Sequence, residues 1–238
     1  MKKFILDPKT IELFPDIQID VMTLHGIDNQ VHEADDPYFQ KLLDQGTASA
    51  EQFITVEPFR DNPVVAEWRE AFRKFKTKKG ARSTVEALLK RVSHGKKFSP
   101  IAPLVDIYNS QSLKYGVSVG GENVDAIAGD MHLGEAKGGE SFLPYGEDED
   151  MPALPGEICY MDDKGAICRC FNWRENQRTE LTEETTNPII DIESINHDQA
   201  ERSAVAIREI QRLCKEYFGV EGKLQQLNAE NPEIVIAE

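Results

Sequence analysis

The chain has 238 residues, of which 40% are hydrophobic and 29% charged, and its formal net charge is −15. This composition is typical of a globular protein with a sizeable core and excludes an intrinsically disordered chain. No apolar run is long enough to span a bilayer, and the first eight residues lack the apolar stretch of a signal peptide. We therefore expect a cytoplasmic protein whose four cysteines are reduced thiols.

The charges are unevenly distributed along the chain. Residues 67–97 hold 11 Lys and Arg against 3 Glu, whereas the other residues hold 16 basic and 39 acidic side chains. The overall acidity opposes nucleic-acid binding, because phosphate contacts need cations. The basic block allows such binding locally, since screening limits charge effects to short range. The alternative is a solvated helix face that only keeps the protein soluble.

The first third of the chain contains signals for one strand and two helices. Alternating polarity predicts a strand over 17–21, and the pattern over 37–43 predicts a short helix that ends at Gly46. Asn62, followed by proline, predicts a helix start with Asn62 as the N-cap. The apolar stripe over 64–75 predicts the core-facing side of that helix.

A second, amphipathic helix follows the basic turn at 78–82. Ser83 and Glu86 form a capping-box pattern, and the apolar spacing predicts a helix that ends near Gly95. Lys78, Lys79 and Arg82 would lie beside the free amides at its start, a combination that suits a phosphate.

The stretch "PLVDIYNSQSLKYGVSVGG", residues 103–121, is unusual for a core strand. Leu104–Ile107 begins as a strand, but five residues with hydrogen-bonding side chains and then glycine-punctuated residues follow. We interpret this segment as the wall of a small-molecule pocket.

The remaining segments predict an irregular alternation of strands and helices. An acidic, proline-bearing loop is expected over 140–156, a hairpin over 157–171, a strand over 189–195, a helix over 198–218 and an edge strand in the final "PEIVIAE". Because no βαβ period recurs, we predict an α+β fold with a mixed, mostly antiparallel sheet and flanking helices.

Neither a metal nor a cofactor is predicted. Cys159, Cys168 and Cys170 lack the tight spacing of a zinc site, so buried free thiols are expected. The five histidines are scattered, and no Ser-His-Asp arrangement is recognisable.

Four segments together resemble a known family. They are "RSTVEALLKRVSHGK", the stretch from "PLVDIYNSQS" to "DAIAGDM", "GGESF", and the hairpin with its continuation "NWRENQRTELTEETT". In this order they resemble the editing module of the bacterial phenylalanyl-tRNA synthetase β chain, the B3/B4 domain, in a free-standing form. The resemblance implies a B3/B4-like fold over 61–196, with 1–60 as an N-terminal elaboration packed on the core and 197–238 as a C-terminal helix and tail of the same globular unit.

The resemblance also implies an activity, which is hydrolysis of the ester of a mischarged tRNA by a positioned water. A hydrolytic site in addition to the synthetase's own amino-acid pocket is useful, because a binding pocket discriminates two amino acids that differ by one methylene by only about 1–3 kcal/mol. Asn109 and Glu175 are the implied catalytic residues, with Glu180 as the alternative to Glu175. Near Gly120 the family has a histidine that contacts substrate. This chain lacks that histidine, which puts the family's selectivity for tyrosine in doubt.

The other expected contacts fall into two groups. The candidate substrate-binding residues are Tyr108, Ser112, Gly120, Gly121, Trp173 and Arg174. The candidate RNA-binding residues are Lys78, Lys79, Arg82, Lys90 and Arg91. The expected partner is tRNA through its aminoacylated 3′ end, and neither DNA nor a membrane is expected. The alternative is a module that binds a free amino acid or tRNA without catalysis.

Overall fold

Ten strands form two sheets in the computed structural model, which describes residues 1–238. The strands are β1 (Lys2–Leu6), β2 (Gln18–Thr23), β3 (Ser118–Asn123), β4 (Met131–Glu135), β5 (Ile158–Asp162), β6 (Gly165–Arg169), β7 (Arg174–Glu175), β8 (Pro188–Ser194), β9 (Lys223–Asn228) and β10 (Glu233–Ala237). The helices are α1 (Pro8–Leu13), α2 (Asp36–Ala50), α3 (Pro63–Ala71), α4 (Thr84–Ser93), α5 (Pro103–Tyr115) and α6 (His197–Phe218).

Both sheets are largely antiparallel. The six-stranded sheet has the order β10-β1-β4-β5-β6-β7, and its β1–β4 pair is parallel while its other pairs are antiparallel. The four-stranded sheet has the order β3-β8-β2-β9 and is antiparallel throughout. The predicted α+β class with a mixed, mostly antiparallel sheet is therefore confirmed.

The four-stranded sheet is the middle layer of the molecule. Every residue of β8 is buried, because one face of the strand packs on the six-stranded sheet and the other on helices. Ile189 belongs to a core shared with Phe4 of β1. Ile190 and Ile192 belong to a second core with residues of α5 and α6. Alternate side chains of β8 thus point into different layers, as the two-residue period of a strand requires.

The segment 103–115, predicted to begin as a strand, is a helix. Pro103 occupies its first turn, and Gly116 ends it in the left-handed region with φ +63°. Nine of its residues are buried because α5 packs against α2, α4, α6 and β3. The polar side chains of α5 therefore face protein on several sides and obscure the helical period in the sequence.

Two local predictions about helix ends are also corrected. Helix α2 continues past Gly46 to Ala50, and a Cβ at Gly46 would lie 2.5 Å from the carbonyl oxygen of Ser110. The glycine therefore allows close contact between α2 and α5 rather than ending the helix. Asn62 does precede α3, but its side chain bonds the backbone of the preceding loop, including the amides of Thr55 and Val56, instead of capping the helix.

Several predicted elements are present. The Ser83 hydroxyl accepts the Glu86 amide at the start of α4, β5 and β6 form the predicted hairpin, and Gly219 follows α6 in the left-handed region. Trp68 is buried in the main core. Strand β10 lies at the edge of its sheet beside β1.

The ends of the chain contribute strands to both sheets. Residues 1–60 supply β1 and β2, and residues 197–238 supply β9 and β10. The division into an elaboration, a core over 61–196 and a tail stays a prediction. None of the helices combines the length and the hydrophobicity that spanning a bilayer requires.

Candidate functional site

A cleft of about 370 Å³ lies where α4, α5, β3 and β7 meet. The first turn of α4 supplies Thr84, the middle of α5 supplies Tyr108 and Asn109, and β3 supplies Val119. Glu175 of β7 and the preceding Trp173 complete the wall, and Arg82 precedes α4. The residues of this cleft are Arg82, Ser83, Thr84, Ala87, Leu88, Tyr108, Asn109, Val119, Trp173 and Glu175.

Five residues predicted from the sequence are brought together in the cleft. They are Arg82, Tyr108, Asn109, Trp173 and Glu175, and they come from three distant parts of the chain. Asn109 is only partly buried, so its amide is reachable from the cleft. Trp173 lines the cleft and also packs on the main core.

Three predicted substrate-binding residues lie outside the cleft. Ser112 is buried, and its hydroxyl donates to the carbonyl of Val117 at 2.6 Å, so it closes the turn after α5. Gly120 lies against the side chain of Asn172, and Gly121 lies against Ile190 and Leu181. Both glycines permit close packing of protein side chains rather than the approach of a ligand.

Arg174 is also absent from the cleft lining. Its guanidinium forms an ion pair with Glu147 at 3.0 Å in the acidic loop. Because side chains alternate along a strand, Arg174 points away from the face that Glu175 presents.

A second cavity, of about 400 Å³, adjoins the cleft and shares Arg82 and Ser83 with it. We call it the basic cavity, because its lining includes Arg69, Arg73, Arg82 and Lys90. Arg69 is paired with the buried carboxylate of Glu86 at 2.7 Å. Arg69 and Arg73 were missed by the sequence analysis, although both belong to the basic block at 67–97.

The other predicted RNA-binding residues lie outside the basic cavity. The ammonium of Lys78 lies 3.9 Å from the sulfur of Met151, and the guanidinium of Arg91 stacks over Phe98 at 4.8 Å. Lys79 lines neither cavity. Of the five predicted cations, the two cavities therefore collect Arg82 and Lys90.

The ionisable groups of the cleft have perturbed pKa values. Burial raises the pKa of Glu175 to about 7, with further contributions from the negative charges of Glu180 and Asp191. Burial also raises the pKa of the Tyr108 hydroxyl, and nearby Glu175 and Glu122 raise it further. Glu175 therefore changes charge close to neutral pH.

Behind the cleft, the facing surfaces of the two sheets form a buried polar layer. Tyr160, Cys168 and Glu175 are directly opposite one another on β5, β6 and β7, so they share one face of the six-stranded sheet. Glu122, Asp191 and Glu193 face them from the four-stranded sheet. We call this group the acidic layer; its members are Glu122, Tyr160, Cys168, Asn172, Asp191 and Glu193.

Hydrogen bonds join the members of the acidic layer to one another. The Tyr160 hydroxyl lies 3.0 Å from Asp191 Oδ2 and 3.1 Å from Glu193 Oε1. Asn172 donates its side-chain amide to Asp191 at 2.6 Å and its backbone amide to Glu193 at 2.9 Å.

A hydroxyl chain then runs to the cleft wall. The Ser118 hydroxyl donates to Glu193 at 2.8 Å and lies 2.9 Å from the Thr84 hydroxyl.

The carboxyl groups of the layer are difficult to ionise. Burial raises the pKa of Asp191 to about 6 and holds the pKa values of Glu122 and Glu193 well above their ordinary range, because a charge there loses its hydration. The thiol of Cys168 contacts Glu122 Oε1 at 3.0 Å, and burial raises its pKa as well. All four cysteines of the chain are buried and unpaired.

The acidic layer was not predicted from the sequence, although one signal was present. Gly120 and Glu122 alternate with other residues in β3, and Asp191 and Glu193 alternate with isoleucine in β8. Carboxylates at every second position of an apolar strand indicate one polar face. The sequence could not indicate that this face meets the other sheet.

Comparison with known proteins assigns this architecture to a family. The sequence model of the B3/4 domain matches residues 67–216, well over half of the chain. The chain belongs to the B3/4 domain family.

One solved structure supports the same fold. A crystal structure of an N-terminal fragment of the phenylalanyl-tRNA synthetase β-subunit from Pyrococcus horikoshii is similar with a TM-score of 0.51 and 12% sequence identity. The similarity covers 94% of this chain and 53% of that one, so the present chain spans about half the length of the fragment. No curated protein matches the chain.

Proposed function

We propose that the protein removes an amino acid from a mischarged tRNA, acting in trans on tRNA released by a synthetase. The observation that carries the proposal is the convergence of Asn109 and Glu175 on one cleft, with the cationic Arg82 shared between that cleft and the basic cavity. Membership of the B3/4 domain family and the likeness to a synthetase fragment support the choice of substrate.

The proposed reaction is hydrolysis of the aminoacyl ester. A water oxygen attacks the ester carbonyl carbon, the bond from that carbon to the ribose oxygen of the terminal adenosine breaks, and the ribose oxygen takes up a proton. The amino acid leaves with a free carboxyl group. The cleft has no serine or cysteine beside a histidine among its lining residues, so attack by water is favoured over a covalent intermediate.

Asn109 and Glu175 have complementary roles in this proposal. The Asn109 amide can donate and accept, which suits it to hold the attacking water or the ester carbonyl. Glu175 either accepts a proton from that water or binds the aminoacyl group. A carboxyl group with a pKa of about 7 is suited to the first role, because its ionised form is both present and basic enough near neutral pH.

The basic cavity is the proposed docking place for the tRNA backbone. Arg69, Arg73 and Lys90 lie close enough to Arg82 to line one cavity, so phosphates bound there lead directly into the cleft. Such contacts position the substrate without reading its sequence. They also reconcile RNA binding with the acidic composition, since the cations are gathered beside the cleft.

A second function, amino-acid binding without turnover, is favoured by the Glu175 carboxylate in the cleft wall. The test is a deacylation assay with a panel of tRNAs that each carry a noncognate amino acid. We expect hydrolysis of at least one member, and at least a hundredfold loss of rate in Asn109→Ala, as for the removal of one positioning group at a reacting centre. The matched control, Asn231→Ala in the exposed turn before β10, keeps the rate. Intact substrates across the panel, together with thermal stabilisation by a free amino acid, would support the binding module instead.

A further inference from the structure

The end of the cleft at Glu175, which we call its inner end, carries the only carboxylate among the lining residues. Glu175 borders the cleft, and Glu122, Asp191 and Glu193 are buried behind it. None of these four carboxylates forms an ion pair with Lys, Arg or His. The protein groups that contact Glu122, Asp191 and Glu193 are uncharged. Arg82 is the only cation among the cleft-lining residues.

One carboxylate oxygen behind this end has no protein partner. Asp191 Oδ1 is fully buried and receives no hydrogen bond. Buried polar atoms without partners cost free energy, and a buried carboxylate without a cation costs more. An occupant of the cleft with N–H donors and a positive charge would give Glu175 the partner that it lacks and would lie in the field of Asp191.

We propose that the inner end of the cleft binds an alkylammonium group of the aminoacyl moiety, held directly by Glu175 and attracted by Asp191 behind it. The substrate class rests on the proposed function. Because Glu175 binds the ammonium group, Asn109 and Thr84 are the residues that hold the attacking water. The ammonium can come from the α-amino group or from the side chain of a cationic amino acid, since both present the same chemistry.

An organic ammonium fits this site better than a metal ion. No three His, Cys, Asp or Glu side chains of the chain are arranged to hold a metal. An ammonium needs only one direct carboxylate and two or three acceptors, and its charge attracts the more distant acids over several ångströms. A neutral side chain would leave the Glu175 carboxylate without a countercharge.

Binding of a cation at Glu175 should release a proton. The titratable groups that face Glu175 are Tyr108 on α5, Glu122 on β3, Cys168 on β6, Asp191 on β8 and Glu180 in the following loop. Below the pKa of Glu175, which is about 7, the free protein holds that carboxyl group largely protonated. An incoming ammonium favours the ionised form, so the proton leaves to the buffer.

Four matched amides separate the possible sources of the ammonium. Lysinamide carries both ammonium groups, norleucinamide carries only the α-ammonium, N-acetyl-lysinamide carries only the side-chain ammonium, and N-acetyl-norleucinamide carries neither. Calorimetric titration of the intact protein should show binding of lysinamide and of one singly charged amide, and the identity of that amide names the source. Titration in buffers of different ionisation enthalpy, below the pKa of Glu175, should show proton release on binding.

Variants test the assignment to Glu175. Glu175→Gln keeps the shape and removes the charge, so the affinity for the binding amide should fall at least tenfold and the proton release should disappear. Asp191→Asn should lower the affinity by a smaller factor, because Asp191 acts from behind the cleft. Glu201 is an exposed carboxylate on α6 that is paired with His197, and Glu201→Gln should leave the affinity unchanged. Circular dichroism of each variant verifies that it is folded.

The outcomes separate this inference from the proposed function. If the uncharged amide binds as well as the charged ones, or if no amide binds, the ammonium site is rejected. Deacylation of a mischarged tRNA in that case would leave the proposed function in place. Ammonium binding without deacylation of any tRNA would keep the site and reject the hydrolase.

Discussion

Removal of the Glu175 charge should make the protein more stable, and more so at high pH than at low pH. The pKa of Glu175 is raised by burial from the ordinary value of 4.5 to about 7. Between these two values the folded protein holds a proton that the unfolded chain has released. Folding stability therefore falls as pH rises through this window, because the folded state binds more protons than the unfolded state.

The magnitude follows from the size of the shift. A rise of about 2.5 units corresponds to about 3.4 kcal/mol, at 1.36 kcal/mol per unit. The carboxyl group borders an open cleft, where solvent screens part of the penalty, so we expect about 2 kcal/mol. This is a substantial fraction of the 5–15 kcal/mol that typically separates folded from unfolded states.

Urea denaturation of the wild type and Glu175→Gln, at pH values below 4.5 and above 7, measures the effect. From the low to the high pH, the free energy of unfolding of the variant should rise by about 2 kcal/mol relative to that of the wild type, with unchanged m-values. Glu201→Gln makes the same change in net charge at an exposed position and should run parallel to the wild type. A Glu175→Gln profile that also runs parallel would refute the claim that the cleft disfavours this charge.

Two further predictions concern the surroundings of the cleft. Gly120→Ala should destabilise the protein by about 2–4 kcal/mol in urea denaturation, because the new Cβ displaces the Asn172 amide from Asp191. An unchanged denaturation midpoint would show that Asn172 can move without cost. Arg82→Glu should lower tRNA affinity in a filter-binding assay and flatten its salt dependence by about one unit of slope. The same charge reversal at the exposed Lys223 should change neither. Equal losses in the two variants, or no loss in either, would reject the basic cavity as the docking face.

The sequence predicted elements whose signals are local. Helix α4 carries its own cap, with Ser83 accepting the Glu86 amide, and the β5–β6 hairpin carries its own turn. Strand β1 was not predicted, because its partners β4 and β10 lie far along the chain and its own pattern is short. Helix α5 was misassigned because Ser110 and Gln111, which would mark the exposed side of a surface helix, are buried.

The cleft was partly predictable, for a different reason. The resemblance to the synthetase module indicated Asn109 and Glu175, and the structure places both on one cavity. The acidic layer was not predicted, because its members come from both sheets and no sequence period relates the face of β8 to the face of β6. Contacts between layers are decided by the packing of whole sheets, which a single sequence does not reveal.

Gly120 has a different use from the one that its sequence suggested. The resemblance implied that Gly120 lies in the substrate pocket, near the position of a family histidine that contacts substrate. In the structure, the space that a side chain at 120 would occupy is filled by Asn172, whose amide donates to Asp191 at 2.6 Å. A histidine at this position would therefore displace Asn172 and expose the charge of Asp191 rather than reach the cleft. The proposed ammonium site places selectivity at Glu175 instead, and it would favour an aminoacyl group that brings its own positive charge.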